Sequence, residues 1–386
     1  MAVHKVTNPT AEAELDETEK ALQEIIKNLN EKQIQGAGSE FVIPVVMHVF
    51  HFGDDGKMDM EQIASGLKVL NDDFNGLNEG WNSVDSEFDS IKASLDITFC
   101  LAQLDPNGNP TTGVIYHEDS LAMLNQGDLL QHAWDNYKYL NIYFPKYTNG
   151  QPSVFTGYAT FPSVINSDDQ GDGIFYSSIR WGYGNHSELE EGDDWASVST
   201  HEAGHWLNLR HTFAGACGDD DFVEDTPPTF GSGIQLSGCY NNDFSCGVRT
   251  NGENYMDYNH RCKKMFTQGQ VERMFAALYL PTRITLWSEE NLVATGCTDF
   301  LSARSDVKEE LQVNIWPNPA QQNLYVRING GQGQLKLFNS QGRMIGSHQL
   351  NNKSNQIDLI KYASGIYFYY LANEEGITSG RFLVQK

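Results

Sequence analysis

Residues 201–211, His-Glu-Ala-Gly-His-Trp-Leu-Asn-Leu-Arg-His, carry the densest chemistry in the chain. His201 and His205 stand four apart, so on an α-helix they share one face and both imidazoles reach a single metal ion. Glu202 is placed to polarise a metal-held water and later to hand its proton to a leaving amine. His211 lies further on; along an unbroken helix it would stand ~15 Å from His201 and off the ligand face. It joins the pair only if the helix ends between them, at a residue that tolerates left-handed backbone. Asn208 is such a residue, although Gly would tolerate it better. Three histidines and a water make an open, catalytic zinc site rather than a closed structural one. The rival third ligand is Glu224, which would need a second helix. Pro227 and Pro228 follow it and argue against that helix, so His211 is preferred.

These side chains need a scaffold. Residues 194–211 read as a helix followed by a turn. Residues 41–50 (FVIPVVMHVF) are β-branched and aromatic and read as a buried strand. Residues 58–74 carry apolar positions at helical spacing, and strands are expected at 95–104 and 139–144. Residues 157–181 hold a strand-like GYATFP and an IFYSSIRW stretch on either side of a polar loop. Residues 212–262 form a Gly-, Asp- and Cys-rich loop, and 267–280 a helix with Thr267 as N-cap. Residues 11–35 read as a charged helix with little apolar face, followed by a hinge at 36–39. That segment is either a pro-peptide remnant or a solvated terminal helix. Beyond about residue 303, short alternating runs separated by Gly, Asn and Ser turns predict a small all-β sandwich. The expected division is 1–37 helical segment, 38–300 catalytic domain, 301–310 polar linker and 311–386 sandwich.

The chain has 386 residues and a formal charge of −25. So acidic a surface repels nucleic acid and anionic membranes and suits oxygen-bound cations. No apolar run reaches the ~20 residues of a membrane span. No charged-then-apolar leader opens the sequence, so the start reads as trimmed. Six cysteines, Cys100, Cys217, Cys239, Cys246, Cys262 and Cys297, make an even set without a Cys-x-x-Cys pair. That pattern favours disulfides in an oxidising compartment over a cytosolic zinc cluster and leaves the pairing open.

HEAGHWLNLRH resembles the long zinc signature of the metzincins, and NYMDY at 254–258 resembles their Met-turn. With LRHTF, DTPP at 225–228, IPVVMHVF, LNDDFNG, ITFCLAQLDPNGNPTTG and YLNIYF, residues 41–297 resemble the pappalysin family of metzincins. The resemblance implies an α+β, two-lobed catalytic domain, with a mixed sheet and the active-site helix in its upper lobe. It implies an extended substrate added to an upper-lobe edge strand, either GYATFP or 174–180. Met256 becomes the apolar floor beneath the metal, and Tyr258 a residue that approaches the metal or stabilises the oxyanion. The resemblance also implies structural Ca²⁺ near 217–228, with Asp220, Asp221, Asp225 and Thr226 as candidate ligands and 166–173 a weaker second site. Two departures stand out. Asn208 replaces the family's Gly. Arg261, Lys263 and Lys264 follow the Met-turn, where positive charge near the primed side would disfavour the Arg preference of better-known members. A cysteine-based pro-peptide block is absent from this chain, since no Cys precedes Cys100.

The C-terminal stretch, with WPNPA at 316–320, GQLKLFNSQGRMI, SGIYFYYL and a terminal Lys, resembles the type IX secretion sorting domain. That implies an outer-membrane secretion machinery as partner and a secreted or cell-surface protein of a Gram-negative bacterium. The expected function is a secreted zinc endopeptidase acting on extracellular proteins. The competing readings are a surface adhesin, or an inhibitor or scaffold, with a silent metal domain; an intact Glu202 argues against them.

Overall fold

A computed structural model describes residues 9–28, 41–118, 126–148, 151–152, 156–164, 171–190, 194–218, 221–232, 239, 241–298, 313–328, 331–339, 343–351, 354–373 and 376–386. Strand β1 (Phe41–His51) is buried along its whole length, as a continuous apolar run in a covered sheet should be. It pairs in parallel with β2 (Ile97–Leu101) through Phe41–Val45 and with β3 (Val114–Glu118) through Met47–His51. It also pairs in parallel with β4 (Leu140–Phe144). Strand β5 (Gly157–Ala159) forms an edge, antiparallel to β6 (Ile174–Tyr176), which itself runs parallel to β4. The sheet is therefore mixed, with its one antiparallel strand outermost. Of the two expected edge candidates, the GYATFP strand holds this place. The 174–180 stretch is strand only at its start and becomes a 3-10 turn over Ser178–Arg180.

Around the sheet stand α1 (Pro9–Asn28), α2 (Met60–Phe74), α3 (Val198–Trp206), α4 (Gln268–Leu278) and α5 (Glu289–Thr295). Asp59 caps α2 by accepting from the Gln62 amide at 2.8 Å. Its Ile63, Leu70 and Phe74 enter the main core, where they meet Trp181 and Trp206. A side chain at Gly66 would put Cβ 2.2 Å from the Trp181 indole nitrogen, so Gly66 is what lets that ring seat on the helix. Thr267 caps α4 in a reciprocal pair with Gln270, as its position predicts. Helix α1 is less solvated than its composition implies. Leu22 is fully buried with Ala276, Ala277, Leu280 and Val164, and Glu19 pairs with Arg273 through both guanidinium amino groups, at 3.0 and 2.6 Å.

All six cysteines are paired: Cys100–Cys297, Cys217–Cys246 and Cys239–Cys262. The first ties β2 to the segment just after α5, Cys217–Cys246 cross-links the loop-rich stretch before residues 254–258, and Cys239–Cys262 spans them. Strands β7 (Val313–Trp316), β8 (Asn323–Ile328), β9 (Gly333–Asn339), β10 (Met344–Leu350), β11 (Asn355–Asp358), β12 (Gly365–Asn373) and β13 (Gly376–Val384) build two antiparallel sheets, β7-β8-β11 and β10-β9-β12-β13. Leu324, Val326, Leu335, Leu337, Leu371 and Phe382 form a separate core between them. Among the described residues no helix is long and apolar enough to cross a membrane.

The sheet also buries a polar group with a readable consequence. The His48 Nε2–H donates to Asn141 Oδ1 at 3.1 Å, and His48 Nδ1 faces His117 Nε2 at 3.1 Å. Burial pushes His48 down to about 4. The unfolded chain therefore takes up a proton near pH 6.5 that the folded chain refuses until about pH 4. The stability that His48 contributes should be fully present above about pH 6.5 and should be lost, on the order of 3 kcal/mol, as pH drops through that window. Melting temperatures measured from pH 7.5 to 4 should show this decline, and His48→Gln should flatten part of it.

Candidate metal centre

Helix α3 is buried at every position, His201 and His205 included. The helix then stops. Asn208 adopts φ 73°, inside the left-handed region, which Asn enters more readily than most residues. The Leu209 amide turns back to the Gly204 carbonyl at 2.8 Å. This reversal brings His211 to the pair. The three Nε2 atoms form a near-equilateral triangle, with His201–His205 at 3.1 Å, His205–His211 at 3.0 Å and His211–His201 at 3.2 Å. The expected convergence of the three rings is therefore what the fold produces. Glu224, the rival, sits exposed in a turn.

Backbone carbonyls fix the tautomers. His201 Nδ1–H donates to the Tyr255 carbonyl at 2.7 Å, and His205 Nδ1–H to the Leu209 carbonyl at 2.7 Å. Both rings consequently direct bare Nε2 lone pairs at one another. Protonation does not relieve that repulsion, because burial holds His201 well below its ordinary range, His205 at about 4 and His211 low as well. Neutral His201 and His205 rings at 3.1 Å with no proton between their Nε2 atoms fit a bound cation, and an all-nitrogen donor set suits zinc.

Met256 packs against helix α3. A Cβ on Gly204 would fall 2.6 Å from Met256 Sδ, so the Gly between the two helical histidines admits the sulfur against the helix. The Tyr258 ring packs on His211 at 4.8 Å and lies 6.0 Å from His201, half-buried. Burial and the nearby Glu202 both raise its hydroxyl pKa. Glu202 is buried, and that burial lifts its carboxyl to about 8, with the Lys263 charge acting in the opposite direction. The edge strand approaches closely: a Cβ on Gly157 would lie 3.0 Å from Glu202 Cγ. Strand β5 thus runs directly against helix α3 at Glu202.

Several neighbours have no signature in the sequence. Phe213 stacks on His211 at 4.7 Å, and the Phe161 ring stands 5.3 Å from His205. Lys263 is buried and donates to the Tyr255 carbonyl at 2.5 Å and to the Asp257 carbonyl; burial pulls its pKa down to about 8. Lys264 bonds to Glu253 at 2.6 Å. The lysines expected to face a substrate are therefore turned inward to backbone and carboxylate, because the Met-turn has carbonyls that need donors. The acidic loop is likewise engaged internally. Asp221 accepts from the Thr226 hydroxyl at 2.6 Å and the Val223 amide at 3.1 Å. Asp225 accepts from the Thr267 hydroxyl at 2.6 Å and the Gly269 amide at 2.9 Å, where the α4 N-terminus favours a negative charge. Asp220, like most of the 166–173 loop, lies outside the described residues; Asp172 of that loop pairs with Arg283 at 2.6 Å.

Comparison with known proteins places this geometry. Residues 124–279 match the Peptidase M43 family model, described as pregnancy-associated plasma protein-A, and residues 314–385 match a secretion system C-terminal sorting domain. An extracellular metalloprotease of Arthroderma gypseum is 31% identical over 264 residues, covering 66% of this chain and 78% of that protein. One from Sordaria macrospora is 36% identical over 148 residues, and there the chain spans about half of the relative, 47%. Among solved structures, a Tannerella forsythia promirolysin mutant aligns with TM-score 0.60 at 27% identity, over 73% of this chain and 93% of that one. Mature mirolysin in complex with a cleaved peptide aligns with TM-score 0.56 at 28% identity, over 67% and 99%. A family of metallopeptidases implies zinc, and the extracellular relatives together with the sorting domain make this a secreted or cell-surface protein. The chain belongs to the pregnancy-associated plasma protein-A (pappalysin) family and is a metalloendopeptidase carrying a secretion-system C-terminal sorting domain.

Proposed function

We propose that this protein is a zinc-dependent endopeptidase in which His201, His205 and His211 hold the metal and Glu202 is the general base. One observation carries the reading: three neutral imidazole nitrogens converge within 3.0–3.2 Å beside a buried carboxylate. Bound zinc supplies a Lewis acid that polarises the scissile carbonyl and makes water acidic enough to attack it. Glu202 takes the proton from that water and delivers it to the leaving amine. Its apolar surroundings keep its proton affinity high enough for both transfers. The Tyr258 hydroxyl donates to the developing oxyanion. Met256 supports the histidines from below. An extended peptide lies along the free edge of β5, its backbone bonding to the strand, so sequence discrimination falls to side-chain pockets. That a solved relative is recorded with a cleaved peptide is consistent with this mode. The substrates are extracellular proteins. Residues 38–300 carry the reaction, and residues 311–386, joined through 301–310, are read by the outer-membrane secretion machinery of a Gram-negative bacterium. Residues 1–37 form the N-terminal segment.

A zinc chelator should abolish hydrolysis of a casein substrate, and added Zn²⁺ should restore it. Glu202→Gln should bind zinc as well as the wild type yet lower kcat by roughly 10³-fold. Equal turnover by this variant and the wild type refutes the assignment. Tyr258→Phe should lower kcat by about 10²-fold with little change in KM, measured on a fluorogenic peptide under zinc saturation.

A further inference from the structure

The reversal at Asn208 has a support that lies outside the metal signature. Arg273, on α4, is buried with 1% exposure. Its Nε donates to the Asn208 carbonyl at 2.9 Å and its Nη2 to Asn208 Oδ1. One guanidinium thus grips both the backbone and the side chain of the residue that turns the chain. Three positions earlier on α4, Gln270 exchanges two hydrogen bonds with Asn254 at 2.8 and 3.0 Å, and Asn254 Oδ1 accepts from the Met256 amide at 2.8 Å. Residues three apart lie on one helix face, so one side of α4 holds two loops at once. The turn it grips through Arg273 carries the Leu209 carbonyl that orients His205, and leads into His211. The loop it grips through Gln270 carries the Tyr255 carbonyl that orients His201.

We propose that Arg273 is a positioning residue for metal binding: by clamping Asn208 it sets the carbonyl that orients His205 and the direction from which His211 enters. This rests on the reading of the three histidines as zinc ligands. It also gives the Asn a role where the resembling signature has Gly. The side chain supplies an acceptor that Gly lacks, and the bidentate grip offsets the cost of holding a non-Gly residue at φ 73°. Glu19 of α1 occupies the remaining edge of the guanidinium and balances its charge.

The test is zinc affinity, by chelator competition well below each variant's melting onset, in the full chain. Arg273→Met keeps bulk but no donor and should raise the zinc dissociation constant about tenfold. Arg273→Lys keeps one charged donor and should fall between Met and wild type. Asn208→Gly suits the backbone and should fold, losing only the side-chain bond and weakening zinc less than Arg273→Met. Excess zinc should return most of the kcat of Arg273→Met, since Arg273 touches no substrate. A merely structural Arg273 would lower the melting temperature of the zinc-free protein without moving zinc affinity. Folded variants that bind zinc as tightly as wild type overturn the proposal and leave the ligand assignment standing. A wild type that binds no zinc overturns both. Should Arg273→Met not fold, Arg273→Lys and Asn208→Gly decide on the same readout.

Discussion

A chain that leaves a buried helix must turn without stranding its last carbonyls, and the reversal at Asn208 meets that demand. Leu209 returns its amide to Gly204 and lends its carbonyl to His205. The single left-handed residue therefore closes the helix, orients one ring and delivers another. A helix continued by even one more turn would carry His211 away along the axis and leave two histidines with no third donor.

Burial then sets the electrostatics. The same desolvation keeps the imidazoles neutral and raises the proton affinity of the Glu202 carboxyl. Lys263 is the counterweight. It sits where Met-turn carbonyls need donors, and its charge favours the ionised forms of Glu202 and Asp257. The Tyr255 carbonyl receives both Lys263 and His201, which makes residues 254–258 a hydrogen-bond junction.

The rest of the architecture holds these parts in register. Gly204 and Gly157 are places where a side chain would push away Met256 or Glu202. The Cys100–Cys297 disulfide closes the sheet against the end of the catalytic region. The sandwich keeps its own core and meets the remainder through contacts such as Tyr370 on Tyr279 and Lys336 on Glu24 of α1.

Much of this was legible in the sequence because it depends on local rules. Helical spacing pairs His201 with His205, a continuous apolar run marks β1, a hydroxyl three residues before Gln marks the cap at Thr267, and alternation marks the sandwich strands. Asn208 as the turning residue follows from the backbone freedom of Asn. What the sequence left open depends on residues that meet only after folding. Six cysteines give no pairing, because loop closure links positions as far apart as Cys100 and Cys297. The lysines after the Met-turn read as charge near the primed side, yet Lys263 is buried against the Tyr255 and Asp257 carbonyls. Leu22 of α1 finds its partners on α4, and Arg273 reads as an ordinary helical charge until tertiary packing sets it against Asn208. Periodicity and residue type determine elements and ligand chemistry; hydrogen-bond partners across long separations are decided only by the packed chain, because they answer to desolvation rather than to spacing.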